Sequence, residues 1–206
     1  ESIPISMAHI TGGKVVFGFS DSLKIFNIDD QTMTCSVTCT GLVNMAVATN
    51  KIYTLRSIDN KKLVKQFFAD LTESCDLFTV PAGISLMSAT DDDYLVFANN
   101  DTKTLTLFDL AGKSHLELHL PKEITIKAVF AIGDGTVLVS GGSFVSRYLI
   151  GGNRGPVWTC TGMPNVTAMC RDGLSGYIIC GNSDQCKISF LSLEGEHYMS
   201  DVNRAC

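Results

Sequence analysis

The residues of this chain best suited to chemistry occur in short, separate groups. Asp91-Asp92-Asp93 is the densest run of charge. Adjacent carboxylates attract a divalent cation, but a calcium loop of EF type alternates its ligands and ends in a glutamate. The run has neither feature and reads as a solvated turn; Asp29-Asp30 reads the same way. Cys35 with Cys39, Cys180 with Cys186, and His115 with His119 are spaced loosely like metal ligands. Structural zinc needs a close pair matched by a second pair, and no second pair aligns. The four histidines (His9, His115, His119 and His197) have no serine and aspartate pattern from which a nucleophilic triad could be assembled. These groups give no reason to expect a catalytic residue, a metal or a cofactor.

A different chemistry gathers later in the chain. Gly141-Gly142-Ser143, Gly151-Gly152-Asn153-Arg154-Gly155 and the only tryptophan, Trp158, lie close together. A glycine-rich phosphate loop requires a helix behind it, and no helical pattern follows, so the glycines read as turns. Arginine and tryptophan are enriched in binding hot spots. Arg147, Arg154, Trp158 and Arg171 are therefore the residues expected to form a partner surface.

Composition limits what these groups can serve. The 206 residues are 45% hydrophobic and 18% charged, with a net charge of −5, a pI near 5.3 and a mean hydropathy of +0.20. That is ample material for a core and argues against disorder. No Lys or Arg run exceeds Lys61-Lys62, so direct nucleic-acid binding, which needs a concentrated cationic surface, is not expected. No apolar stretch is long enough for a membrane span, and no basic segment followed by an apolar run marks a signal peptide. The eight cysteines fall mostly in apolar, strand-like runs. They read as reduced, core-filling thiols rather than a disulfide framework, because a domain of this size needs no staples. The two glycosylation sequons, Asn100-Asp101-Thr102 and Asn165-Val166-Thr167, are about what chance supplies.

The elements that position these residues repeat. Five stretches, 14–18, 51–55, 94–98, 137–141 and 177–181, are apolar on both faces, as buried strands are. Each is followed, after a polar turn, by a stretch that tends to alternate apolar with polar, such as Leu105-Thr106-Leu107-Phe108-Asp109, the period-two mark of a half-buried strand. First strands are clearest near 43–47, 84–87, 126–130 and 166–170, and outer strands near 35–37, 75–80, 116–120, 156–160 and 196–199. Residues 65–71 also admit a short helix, but the repeat places them in a strand and its turn. Taking Val16, Ile52, Leu95, Leu138 and Ile179 as equivalent gives spacings of 36, 43, 43 and 41 residues. Four short strands and their turns fill such a period, the length of a propeller blade. The expected fold is all-β: a β-propeller of about five four-stranded antiparallel blades in one domain, spanning residues 5–41, 42–82, 83–122, 123–164 and 165–206.

Residues 95–113 (LVFANNDTKTLTLFDLAGK) resemble the second half of a WD repeat, and residues 15–32 and 178–193 are similar. Phe26-Asn27, Phe108-Asp109 and Phe190-Leu191 occupy the Trp-Asp place, while the Gly-His pair that opens such repeats is absent. The resemblance is to degenerate WD-repeat propellers and implies a scaffold-like role. Asp21, Asp59, Asp101 and Asp184, with Ser143 in the fourth copy, fall in the turn between second and third strands. There, Asx side chains are expected to cap their own backbone rather than bind a cation. WD-repeat propellers usually close with seven blades. Five copies therefore imply a small ring, part of a longer propeller, or an open ring completed by a partner's strand.

Two functions fit. One is a non-catalytic protein-interaction scaffold, a subunit or adaptor of a multiprotein complex, intracellular and either cytoplasmic or nuclear. The other is a secreted five-bladed carbohydrate-active or sugar-binding propeller. That would need paired carboxylates or an aromatic platform in each blade, and a single tryptophan and a length of 206 residues argue against both.

Overall fold

The apolar runs do form strands. A computed structural model describes residues 3–10, 12–72, 74–133, 135–152, 155–172, 175–182 and 187–200, apart from the side chains of Met199 and Ser200. Among them are twenty strands and no helix. The first sheet contains β1 (Ser6–Ile10), β2 (Lys14–Gly18), β3 (Ser22–Asn27) and β4 (Thr32–Thr38). The second contains β5 (Leu42–Ala48), β6 (Lys51–Ile58), β7 (Lys61–Phe68) and β8 (Ser74–Val80). The third contains β9 (Ile84–Ala89), β10 (Tyr94–Asn99), β11 (Thr104–Asp109) and β12 (Ser114–His119). The fourth contains β13 (Ile126–Ala131), β14 (Thr136–Gly141), β15 (Phe144–Leu149) and β16 (Trp158–Thr161). The fifth contains β17 (Val166–Arg171), β18 (Ile178–Asn182), β19 (Lys187–Leu191) and β20 (His197–Ser200). Within each sheet the strands lie in chain order. The fold class is all-β, with five four-stranded antiparallel blades of a β-propeller.

Residues 65–71 are not a helix; β7 runs through most of them, and Leu71 turns back with positive φ. β16 begins at Trp158 rather than Pro156, because proline has no N–H for the ladder. Two-residue turns at Thr49-Asn50 and Asp59-Asn60 have φ of 43° and 62°, and 48° and 62°. Positive φ at both positions suits the right-handed twist of a hairpin.

Register corrects the equivalences drawn from the sequence. Val16 and Ile25 pack with Met45, Ile52 and Phe67, so Val16 points towards the following sheet and Ile52 towards the preceding one. Tyr53 and Leu55 pack with Leu95 and Phe97, and Leu138 packs with Ile178 and Cys180. The positions that share a face are Val16, Tyr53, Val96, Leu138 and Ile179. Ile52 and Leu95 were one residue out, and in a strand a slip of one residue exchanges the faces. A bulge recurs in the first strand of sheets two to five, where Val43, Ser85, Lys127 and Thr167 have no ladder partner. β1 pairs with β2 without one.

The chain divides into two compact units, Glu1–Asn99 with Leu107–His115, and Asn100–Thr106 with Leu116–Cys206, and the division crosses the third sheet. In the first unit the core has two layers. One joins sheets one and two through Val16, Leu23, Ile25, Ile52 and Phe67. The other joins sheets two and three through Tyr53, Leu55, Val64, Leu95 and Phe97. Phe78, Phe97 and Phe108 are mutually in contact there, with ring centroids 5.4–6.2 Å apart, a spacing at which aromatic pairs attract. In the second unit, Leu138, Val145, Ile178, Cys180 and Leu191 join sheets four and five. Polar links follow the first strands: Asn44 Oδ1 accepts from Met87 N at 3.1 Å, and Ser140 Oγ donates to Val166 O at 2.6 Å.

Candidate functional site

Of the four residues expected to form a partner surface, the structure brings two together. Arg147 in β15 stands opposite Trp158 in β16. Arg147 Nη1 and Trp158 Nε1 both donate to the carbonyl of Leu193, each at 2.9 Å, and Arg147 Nε donates to Thr136 Oγ1 at 3.1 Å. The Ser192–Glu196 turn of sheet five is thereby held against sheet four. Gly195, with φ of 93°, lies flat on the indole, where a Cβ would come within 2.8 Å of the ring. Both side chains are half-buried and serve the molecule's own packing. Arg171 is exposed at the end of β17, and Arg154 lies outside the described residues.

The turn aspartates divide in the same way. Asp59 occupies its hairpin with positive φ. Asp21 accepts from Ser22 Oγ at 3.0 Å, and its carbonyl accepts from Cys39 N. Asp101 is exposed in the turn after β10, and Asp184 lies outside the described residues. Beside Asp101, the Asn100 side chain bonds both backbone groups of Ile126, at 2.8 and 2.9 Å.

The clearest side-chain capping occurs one turn later, between third and fourth strands. Asp109 Oδ1 accepts from Ala111 N and Lys113 N. Ser192 Oγ accepts from Glu194 N and Glu196 N, at the same two spacings. Asn27 Oδ1 accepts from Asp29 N. This aligns Leu191-Ser192, not Phe190-Leu191, with Phe108-Asp109.

Several acidic and imidazole groups are engaged locally, whereas His197 Nε2 is buried with no hydrogen-bond partner among the described residues. Asp93 accepts from Lys51 Nζ at 2.7 Å and from the Tyr53 hydroxyl at 3.2 Å, so this member of the Asp91–93 run ties sheet three to sheet two. Lys51 holds the Asp93 carboxyl below the usual carboxylate range. Burial, and then the Asp93 charge, raise the Tyr53 phenol. His115 Nε2 lies 2.7 Å from Asp109 Oδ2 and holds that carboxyl low; His119 Nε2 lies 3.5 Å from Glu117. Among the described residues no three His, Cys, Asp or Glu side chains gather as a metal site.

The six described cysteines are free thiols. Cys39, Cys160 and Cys180 are buried, whereas Cys75 and Cys170 are exposed and fill no core. Burial, with smaller effects from Cys170 and Cys160, pushes the Cys180 thiol up to about 12.

The second unit has a cleft of about 460 Å³, bounded by Leu118, His119, Pro121, Tyr148 and Pro156. Sequence reasoning missed it, because its walls come from two sheets with no shared motif.

Antiparallel four-stranded blades in strict chain order define a propeller-type protein. No family model matches the sequence, and no protein of curated function matches it. Solved structures do match. Virginiamycin B lyase from Staphylococcus aureus has a TM-score of 0.69 at 12% identity, over 98% of this chain and 70% of that one. A protein of unknown function from Bacteroides caccae has a TM-score of 0.68 at 11% identity, over 98% of this chain and 83% of that one. At these identities the likeness is one of fold.

Proposed function

We propose that the chain is a non-catalytic, WD-repeat-like scaffold that acts as a subunit or adaptor in a protein complex. The observation carrying this reading is the local engagement of groups that could do acid–base or metal chemistry: Asp93, Asp109, His115 and Ser192 bond to neighbouring side chains or turns. In this reading the sheets rigidly display a partner surface. It comprises the cleft beside Tyr148 and His119 and the exposed Arg171. A cleft of this volume suits a few side chains of a docked peptide. The six free thiols support a reducing compartment, the cytoplasm or nucleus. No lyase activity is inferred from a fold neighbour at 12% identity.

The test is affinity capture with the intact chain beside folded Tyr148→Ala and Arg171→Glu variants. A stoichiometric protein partner held by the wild type and lost from one variant is expected. Recovery of no protein, with binding on a glycan array instead, would refute the scaffold and favour a sugar-binding propeller.

A further inference from the structure

The link that leads into the fourth sheet is the longest of its kind. Six residues (120–125) join β12 to β13, whereas three join β4 to β5 (39–41), three join β8 to β9 (81–83) and four join β16 to β17 (162–165). Its first turn is closed by Ile124 N donating to Pro121 O at 3.1 Å. Its far end is fixed where the Asn100 side chain bonds both backbone groups of Ile126. Extra length between two tied ends must stand away from the sheet, and here it walls a cleft of about 340 Å³ bounded by Glu123, Ile124, Thr125, Lys127, Gly141 and Phe144. The cleft lies wholly within the second unit, and its volume is at the lower end of the range for small-molecule sites.

The cleft combines an apolar floor with two opposite charges. A Cβ on Gly141 would come within 2.9 Å of Ile124 Cγ2 and 3.1 Å of Phe144 Cζ, so glycine lets these two side chains close over the backbone. Lys127 is the bulged residue of β13: Ile126 pairs with Gly141 and Ala128 with Ser140, which leaves Lys127 without a ladder partner. A bulge re-aims the side chain it carries. The bulged residues of sheets two, three and five are Val43, Ser85 and Thr167, so only the fourth sheet places a charge there. Glu123 stands on the lengthened link. Both charged side chains are exposed, and neither makes a hydrogen bond or an ion pair with any described residue, the other included. A carboxylate and an ammonium group that line one cleft without meeting give it a negative wall and a positive wall.

We propose that this cleft binds a free amino acid with a large apolar side chain. The α-ammonium group donates to the Glu123 carboxylate, the α-carboxylate accepts from Lys127 Nζ, and the side chain lies on Ile124 and Phe144. Such charge-assisted bonds are the stronger kind. A zwitterion fits because its two charges sit on one carbon and satisfy both walls together; an anion or a cation alone leaves one wall unpaired. The inference rests on sheet four and its link and goes beyond the scaffold reading without needing it.

The experiment is titration calorimetry of the intact chain with L-phenylalanine and L-leucine. Two phenylalanine analogues that each lack one charge, 3-phenylpropionate and 2-phenylethylamine, are titrated in parallel. Phenylalanine should saturate one site, and each analogue should bind about tenfold more weakly, because each gives up one hydrogen bond between charged groups. Glu123→Gln should lose the preference for phenylalanine over phenylpropionate, and Lys127→Met the preference over phenylethylamine. Lys122→Met, outside the cleft, should change neither. Failure of both amino acids to saturate by about 10 mM overturns the proposal. So does either analogue binding as tightly as phenylalanine, which would mark a site for a single charge, or wild-type affinity in both cleft variants. The wild-type comparison of phenylalanine with its analogues decides the matter if a variant fails to fold.

Discussion

The shared carbonyl of Leu193 permits a sharp test of how sheet five is fastened to sheet four. Trp158→Phe removes the indole donor and keeps most of the ring packing. Arg147→Met removes the guanidinium and keeps its aliphatic stem. Each single variant leaves the carbonyl with one donor, because both bonds are 2.9 Å long. A neutral hydrogen bond contributes about 1 kcal/mol and one to a charged group about 1.5–3 kcal/mol. Arg147→Met also loses the bond to Thr136, so it should be the costlier change. In the double variant the half-buried carbonyl keeps neither donor, and its desolvation adds a coupling of about 1 kcal/mol beyond the sum. Urea unfolding followed by circular dichroism measures this; fluorescence does not serve, because Trp158 is the only tryptophan. Additivity within about 0.5 kcal/mol would show that the two donors do not share an acceptor.

Gly112 has φ of 80°, and a Cβ there would lie 2.7 Å from Phe78; Gly112→Ala should cost about 2–3 kcal/mol in the same unfolding assay, and a loss below 0.5 kcal/mol would contradict the close approach. At pH 8 a maleimide should label Cys75 and spare Cys180, whose thiol is pushed up to about 12, until urea exposes it; mass spectrometry showing equal rates in the folded protein would contradict its burial. The Asp93 carboxyl is lowered chiefly by the hydrogen bond from Lys51. Its contribution is therefore present above the unfolded value of about 3.9 and is lost as pH falls through the lower folded value. The side chain is 49% exposed, which limits the effect to about 1 kcal/mol or less. Asp93→Asn should flatten the acid limb of the melting curve, and an unchanged limb would count against the pair.

The strands were legible because each buried run is short, apolar and bounded by turn residues. The period was legible because four strands and their turns recur at nearly fixed length. Register was harder to read. Val15-Val16 and Ile52-Tyr53 are apolar at both positions, so alternation could not say which residue faces which neighbour. The internal contacts of two expected partner residues were hidden for a related reason. Arg147 and Trp158 have the chemistry of a hot spot, but their shared acceptor is a backbone carbonyl 46 and 35 positions away, and a carbonyl leaves no mark on residue type. The cleft beside Tyr148 was invisible because its walls belong to different hairpins.

The capped turn explains how such a fold persists on a sequence that matches no family model. Asp109, Ser192 and Asn27 each close the turn after a third strand, and each presents an oxygen to the N–H two residues on. Gly112 and Gly195 follow at the same distance, with φ of 80° and 93°. Carboxylate, hydroxyl and amide are interchangeable here because the turn needs only an acceptor at that position. The residue before each cap (Phe108, Leu191 or Phe26) is constrained only to be apolar. Packing against the preceding sheet confines Phe108 and Leu191, and Phe26 is half-buried. Geometry thus specifies an acceptor after an apolar side chain, a requirement many residue pairs meet besides Trp-Asp. A blade can therefore form without that pair.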